Sequence, residues 1–197
     1  MKKKLTVLAV LALCLGLAAT GTWAYFTAQK QVHNVITTGK VDIRLLEWAD
    51  ADRTQPFENL TGIMPGMEVT KIAEVKNTGT APAFIRVQVM VDVYSAEGNL
   101  LDSAPVKLDF NQTDWTYYDG YYYYNRILNP GETTEPLFTT VSFDVFMGDA
   151  YQEGTTYVNL QAGAVQSANN GEDPLQATGW PSFAPPEPTI VPLNPGA

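Results

Sequence analysis

The sequence predicts an all-β protein, an antiparallel β-sandwich of jelly-roll or immunoglobulin-like kind. The first reason is the run from Phe84 to Tyr94. It places Ile85, Val87, Val89, Val91 and Val93 on one face and Arg86, Gln88 and Asp92 on the other, the period of a strand. A helix would scatter those valines around its circumference. The second reason is the recurrence of turn signals, at Met64-Pro65-Gly66-Met67, Asn77-Thr78-Gly79-Thr80 and Asn129-Pro130-Gly131-Glu132. The third is Asp119-Gly120, set between two aromatic runs, because Asp-Gly supplies the positive φ angles of a type I′ hairpin turn.

The chain opens with an export signal. Lys2, Lys3 and Lys4 precede an apolar run from Leu5 to Ala19, about fifteen residues, which suits a signal-peptide core and falls short of a membrane span. Thr22-Trp23-Ala24 then puts small residues at both recognition positions for a cut between Ala24 and Tyr25. The single cysteine, Cys14, lies inside that run behind Leu13, where a lipid-attachment cysteine would not sit. Cleavage leaves no cysteine, so disulfides and thiolate metal sites are excluded and the core alone must hold the fold. No later apolar run is long enough to span a membrane.

Charge narrows the partners. The whole chain carries −9, and loss of the three signal lysines takes it to −12, which repels nucleic acid and anionic membranes. Asp50 and Asp52 leave cation binding by an acidic loop open beside the plainer reading of a solvated loop. No cofactor is implied.

Strands are expected at Val41–Leu45, Glu68–Lys76, Phe84–Tyr94, Val106–Phe110, Asp114–Tyr118, Tyr121–Asn125, Leu137–Met147 and Tyr157–Gln166. Val141, Phe143, Val145 and Met147 should share the inward face of one strand, and Val158, Leu160, Ala162 and Ala164 that of another. A two-residue loop at Asp119-Gly120 pairs Tyr118 with Tyr121, Tyr117 with Tyr122 and Trp115 with Tyr124. Trp115, Tyr117, Tyr122 and Tyr124 then share one face, and Thr116, Tyr118, Tyr121 and Tyr123 the other. Prolines 174, 181, 185, 186, 188, 192 and 195 mark the end as a tail, extended and disordered beyond about Trp180. The organisation expected is a signal over 1–24, a sandwich over 25–168 and a Pro-rich tail over 169–197.

The junction Gly21-Thr22-Trp23-Ala24-Tyr25-Phe26-Thr27 and the stretch Asn34-Val35-Ile36-Thr37-Thr38-Gly39-Lys40-Val41-Asp42-Ile43 resemble the start of the TasA/camelysin family. So do Met64-Pro65-Gly66 and the run from Val75 to Val87. The resemblance implies a Gram-positive exported protein, cut after Ala24 by a SipW-type signal peptidase. It also implies a jelly-roll fold that assembles into biofilm-matrix fibres, by self-association or with other matrix proteins. The N-terminal segment, Tyr25 to about Gly39, would complete the sheet of the next subunit, with Tyr25, Phe26, Val32, Val35 and Ile36 as its anchoring side chains. This chain departs from TasA in its Tyr-rich hairpin and its tail.

Two other functions are weighed. Camelysin-type members carry a metallo-endopeptidase label, but a zinc protease usually needs two histidines and a carboxylate, and this chain has only His33, in the N-terminal segment. The residues therefore point away from an enzyme. A carbohydrate- or surface-binding module is the alternative, with Tyr118, Tyr121 and Tyr123 as a platform for a glycan, against the plainer reading that they only brace the hairpin.

Overall fold

The computed structural model of the chain describes residues 39–57 and 64–183. Its centre is the strand that alternates most cleanly in sequence. β3 (Ala83–Tyr94) pairs along its whole length with β9 (Thr155–Gln166), antiparallel, from Ala83↔Gln166 to Tyr94↔Thr155. The opposite edge of β3 is shared by β4 (Leu100–Leu101) and β7 (Tyr121–Tyr124), and β6 (Trp115–Tyr118) lies outside β7. The second sheet runs β1 (Ile43–Trp48), β2 (Glu68–Asn77), β8 (Phe138–Phe143), β5 (Val106–Leu108), all antiparallel. One 3₁₀ turn, Asp149–Tyr151, precedes β9. The described residues are thus all-β, two antiparallel sheets face to face, as the alternation and turn spacing predict.

The core lies between the sheets. Ile85, Val87 and Val93 of β3 are buried, with Val89 and Val91 packed against the same cluster. Ala73, Val75, Phe138, Val141 and Phe143 meet them from the other sheet, while Val158, Leu160, Ala162 and Ala164 of β9 fill the side. Each fully buried large aliphatic or phenyl side chain contributes roughly 1.5–3 kcal/mol.

One expected alternation fails. β8 stops at Phe143 because the Asp144 carboxylate accepts the Phe146 amide at 2.9 Å and turns the chain. Met147 returns to the core, but Val145 is 64% exposed, not inward. An Asx turn breaks the period of two without changing the run's apolar composition.

The end of the sandwich where β1 begins is held by Asn77, whose side chain is fully buried. Its Nδ2 donates to Ala81 O and Leu128 O, both at 2.9 Å, and its Oδ1 accepts the Gly79 amide at 2.9 Å. Its own amide donates to Glu132 O and its carbonyl accepts from Gly131. The turn it shapes then catches the lead-in to β1, with Thr78 and Gly79 donating to Asp42 O and Thr80 to Lys40 O.

Asn77→Ala would strip the buried Ala81 carbonyl of its side-chain donor and take one of two partners from the Leu128 carbonyl and the Gly79 amide, which keep Ala83 and Asp42, so it should lower unfolding free energy by about 2 kcal/mol in urea melts. Asn77→Asp, nearly the same shape, should fare no better at neutral pH, because a carboxylate donates to neither carbonyl.

Candidate functional site

Asp119 (φ 48°) and Gly120 (φ 83°) close the β6–β7 hairpin, and the register is Trp115↔Tyr124, Thr116↔Tyr123, Tyr117↔Tyr122 and Tyr118↔Tyr121. The two faces of this ribbon have different fates.

On the first face, Trp115 and Tyr124 are buried in the core. Trp115 Nε1 donates to Glu135 O at 3.1 Å, and the Tyr124 hydroxyl accepts from Arg126 Nη2 at 2.7 Å and from the Glu135 amide at 3.3 Å. Further out, Tyr122 stacks on Phe110 at 4.3 Å, Phe110 meets Phe138 edge-on at 5.8 Å, and Tyr117 tilts against Tyr122 at 4.9 Å. The row of rings runs from the core to Tyr117, which is 62% exposed. It walls a cleft of about 480 Å³ lined by Phe110, Asn111, Gln112, Trp115, Thr116, Tyr117 and Tyr122. Burial pushes the Tyr122 phenol up to about 12, so it stays a neutral hydroxyl through the physiological range.

The second face is covered. The candidate platform of Tyr118, Tyr121 and Tyr123 does not stand open: Tyr118 is exposed, Tyr121 is half-buried, and Tyr123 is 6% exposed. What covers it is the segment 169–183, assigned to the tail by its prolines. Trp180 meets Tyr123 edge-on at 5.6 Å and Phe183 packs on Tyr121 at 5.7 Å. Ala177 and Trp180 also close over Phe84 and Val165. Between the rings sits Arg86 of β3, its guanidinium carbon 4.0 Å from the Tyr121 centroid, 4.8 Å from Trp180 and 5.4 Å from Phe183. Its Nη2 donates to Pro181 O at 2.9 Å. A partly desolvated arginine against aromatic faces contributes up to about 2 kcal/mol.

Gly163 makes the approach fit, since a Cβ there would fall 3.0 Å from both Phe183 and Pro181. Asn170 ties the strap to itself, accepting the Thr178 amide at 2.9 Å and donating to Thr178 O at 3.0 Å. Composition assigns this segment to the tail, because the aromatic partners of Trp180 and Phe183 are distant in sequence.

The acidic loop is occupied by its own turn. Asp50 accepts the Thr54 hydroxyl at 2.6 Å and the Thr54 and Gln55 amides at 3.0 and 2.9 Å, which holds its carboxyl below the usual range. This loop covers two buried charges of β2. Arg53 reaches Glu74 Oε1 through Nε at 2.8 Å and Nη2 at 2.6 Å. Lys71 pairs with Glu47 under the Phe57 ring, 3.8 Å away, and burial pulls its ammonium below the ordinary lysine value against the pull of Glu47.

Ala24, Tyr25, Phe26, Val32, His33, Val35 and Ile36 lie outside the described residues. So does the tail beyond Phe183. A family described as camelysin metallo-endopeptidase matches residues 1–102 of the chain. The chain belongs to that family. No curated protein sequence and no solved structure matches it. Camelysin and TasA relatives are exported proteins, and no helix among the described residues is long and apolar enough to cross a membrane. The family match ends beside β4, so the aromatic hairpin and its strap lie beyond it.

The family description implies a metal centre, and the donor set does not fit one. The described residues include neither histidine nor cysteine, and among them no group of three His, Cys, Asp or Glu is gathered as metal ligands need.

Two measurements check these contacts. Trp180→Ala should cost about 2 kcal/mol in denaturant melts and quicken nitration of Tyr121 and Tyr123, with Tyr118 reacting as before. Glu47→Gln leaves the Lys71 ammonium buried without its partner and should cost about 2 kcal/mol at neutral pH. Because Lys71 releases its proton more readily folded than unfolded, that deficit should narrow as pH rises toward the ordinary lysine value of 10.5.

Proposed function

We propose that this chain is an exported structural protein of the extracellular matrix, a fibre subunit or accessory, and that it is not a peptidase. In this reading a SipW-type signal peptidase cuts after Ala24. The segment from Tyr25 to about Gly39 then adds as a strand to the sheet of a neighbouring copy or another matrix protein. The observation that carries the proposal is the family match, which spans the signal, the donor segment and the first sheet strands together.

The fold offers physical support. β1 begins at Ile43, a few residues after the proposed donor in sequence, and β2 is its one strand partner among the described residues, so β1 offers a sheet edge to an added strand. Sheet edges carry backbone donors and acceptors that an added strand can satisfy, with side chains choosing the register. Val32, Val35 and Ile36 supply β-branched side chains for that purpose. A head-to-tail contact of this kind extends into a filament where its rotation does not close a ring. Against catalysis stands the donor inventory: one histidine in the whole chain and one cysteine, which cleavage removes.

The test is deletion of Tyr25 to Lys30, compared with the full mature chain by electron microscopy and sedimentation. Fibres from the mature chain and folded monomers from the deletion are the expected pair. Unchanged fibres from the deletion would overturn the donor reading.

A further inference from the structure

We infer that the cleft walled by Tyr117, Tyr122 and Phe110 is a binding site for a neutral carbohydrate chain, on the face of the hairpin opposite the one its tyrosines first suggest. The inference stands apart from the fibre reading, because the cleft lies on β6, β7 and the loop before them and uses nothing from the N-terminal segment.

Three observations point to that ligand. The first is rigidity. Tyr117 is 62% exposed, yet its ring rests on Tyr122, which rests on Phe110, which rests on the fully buried Phe138. An exposed aromatic face fixed from behind loses little freedom on binding, and sugars offer an apolar C–H face that stacks on such a ring.

The second is polarity at the rim. The Gln112 amide is exposed, and neither it nor the Tyr117 and Tyr122 hydroxyls make a side-chain hydrogen bond in the structure. Thr116, whose hydroxyl donates to Asn125 Oδ1 at 2.7 Å, keeps an acceptor lone pair toward solvent. Asn111, by contrast, is fully engaged within its own loop: it donates to Asp114 Oδ2 and Pro136 O and accepts the Thr113 and Asp114 amides. It builds the wall and leaves recognition to Gln112 and the phenols. Free hydrogen-bonding groups around a stacking face match the alternation of C–H faces and hydroxyls on a pyranose.

The third is charge. No lining residue is ionised: the cleft holds two amides, a threonine hydroxyl and four aromatic rings, with Tyr122 held neutral. In a chain of net charge −9, an anionic glycan would find no cation here to offset the repulsion. That selects uncharged polysaccharides over uronic-acid or phosphate polymers.

The experiment uses protein expressed from the full sequence and purified after export. It measures retention on cellulose, chitin and β-1,3-glucan, with alginate as the anionic control and a synthetic peptide of residues 184–197 as an aromatic-groove competitor. The wild type should be retained by at least one neutral polymer and pass through alginate. Tyr117→Ala should weaken retention about tenfold or more, and Gln112→Ala several-fold. Tyr118→Ala, exposed on the other face, should bind as the wild type does. Tyr122→Phe keeps the ring and the fold and should lose a smaller part of the affinity. No retention on any neutral polymer, or undiminished retention by Tyr117→Ala, would overturn the assignment. So would protection of Tyr117 from nitration by the peptide and by no neutral polymer, since the cleft would then be a groove for proline-rich chain.

Discussion

A single buried amide organises the end of the sandwich from which the chain enters its first sheet. Asn77 sits at the last position of β2, and every polar atom it owns is used: side chain to Ala81, Leu128 and Gly79, backbone to Glu132 and Gly131. Through these bonds it joins the turn after β2, the segment bridging to β3 and the turn before β8. Leu128 in turn exchanges both backbone bonds with Ala83, the first residue of the central strand. A polar group so placed stabilises little in net terms, because folding only exchanges water for protein partners. What it does is exclude alternatives, since any slip of β2 against its neighbours would strand several buried groups at once.

Much of the fold can be read directly from residue order. The valines of β3 and the small apolar residues of β9 alternate, and alternation reports one buried face. The hairpin register follows from the two residues that can take positive φ between equal aromatic runs. What escapes a reading by period is chemistry that acts locally or at long range. Asp144 folds its carboxylate onto the chain two residues on and throws Val145 outward, though the string of apolar residues looks continuous. The strap of 169–183 is harder still. Its prolines mark it as a tail, and it runs over the sheet as a chain of turns, with Asn169, Gly171 and Gly179 at positive φ. But nothing near Trp180 in sequence says that Arg86, Tyr121 and Tyr123 wait for it more than fifty residues upstream.

The hairpin shows why an aromatic-rich ribbon cannot be assigned a role by composition. Eight aromatic or polar positions alternate across it, four to a side. The side holding Tyr121 and Tyr123 looks free on paper and is taken up by the chain's own end. The side holding Trp115 and Tyr124 looks like core and is core at its base, yet reaches solvent at Tyr117. Tyr117 and Tyr122 each stand one position from a tyrosine named from sequence, displaced by one step of the pleat, whereas Phe110 and Gln112 come from the loop before the hairpin.

The docking of Phe183 and Trp180 also fixes where the domain can be cut or joined. The last strand ends at Gln166, and a boundary drawn from secondary structure would fall just after it. A passenger protein attached there would occupy the space over Arg86 and leave Phe84, Val165 and Tyr123 facing water. Among the described residues the cover over the sheet is complete only when Phe183 is in place. A reporter or tether joined after Phe183 would leave the strap on Arg86 and the sandwich closed.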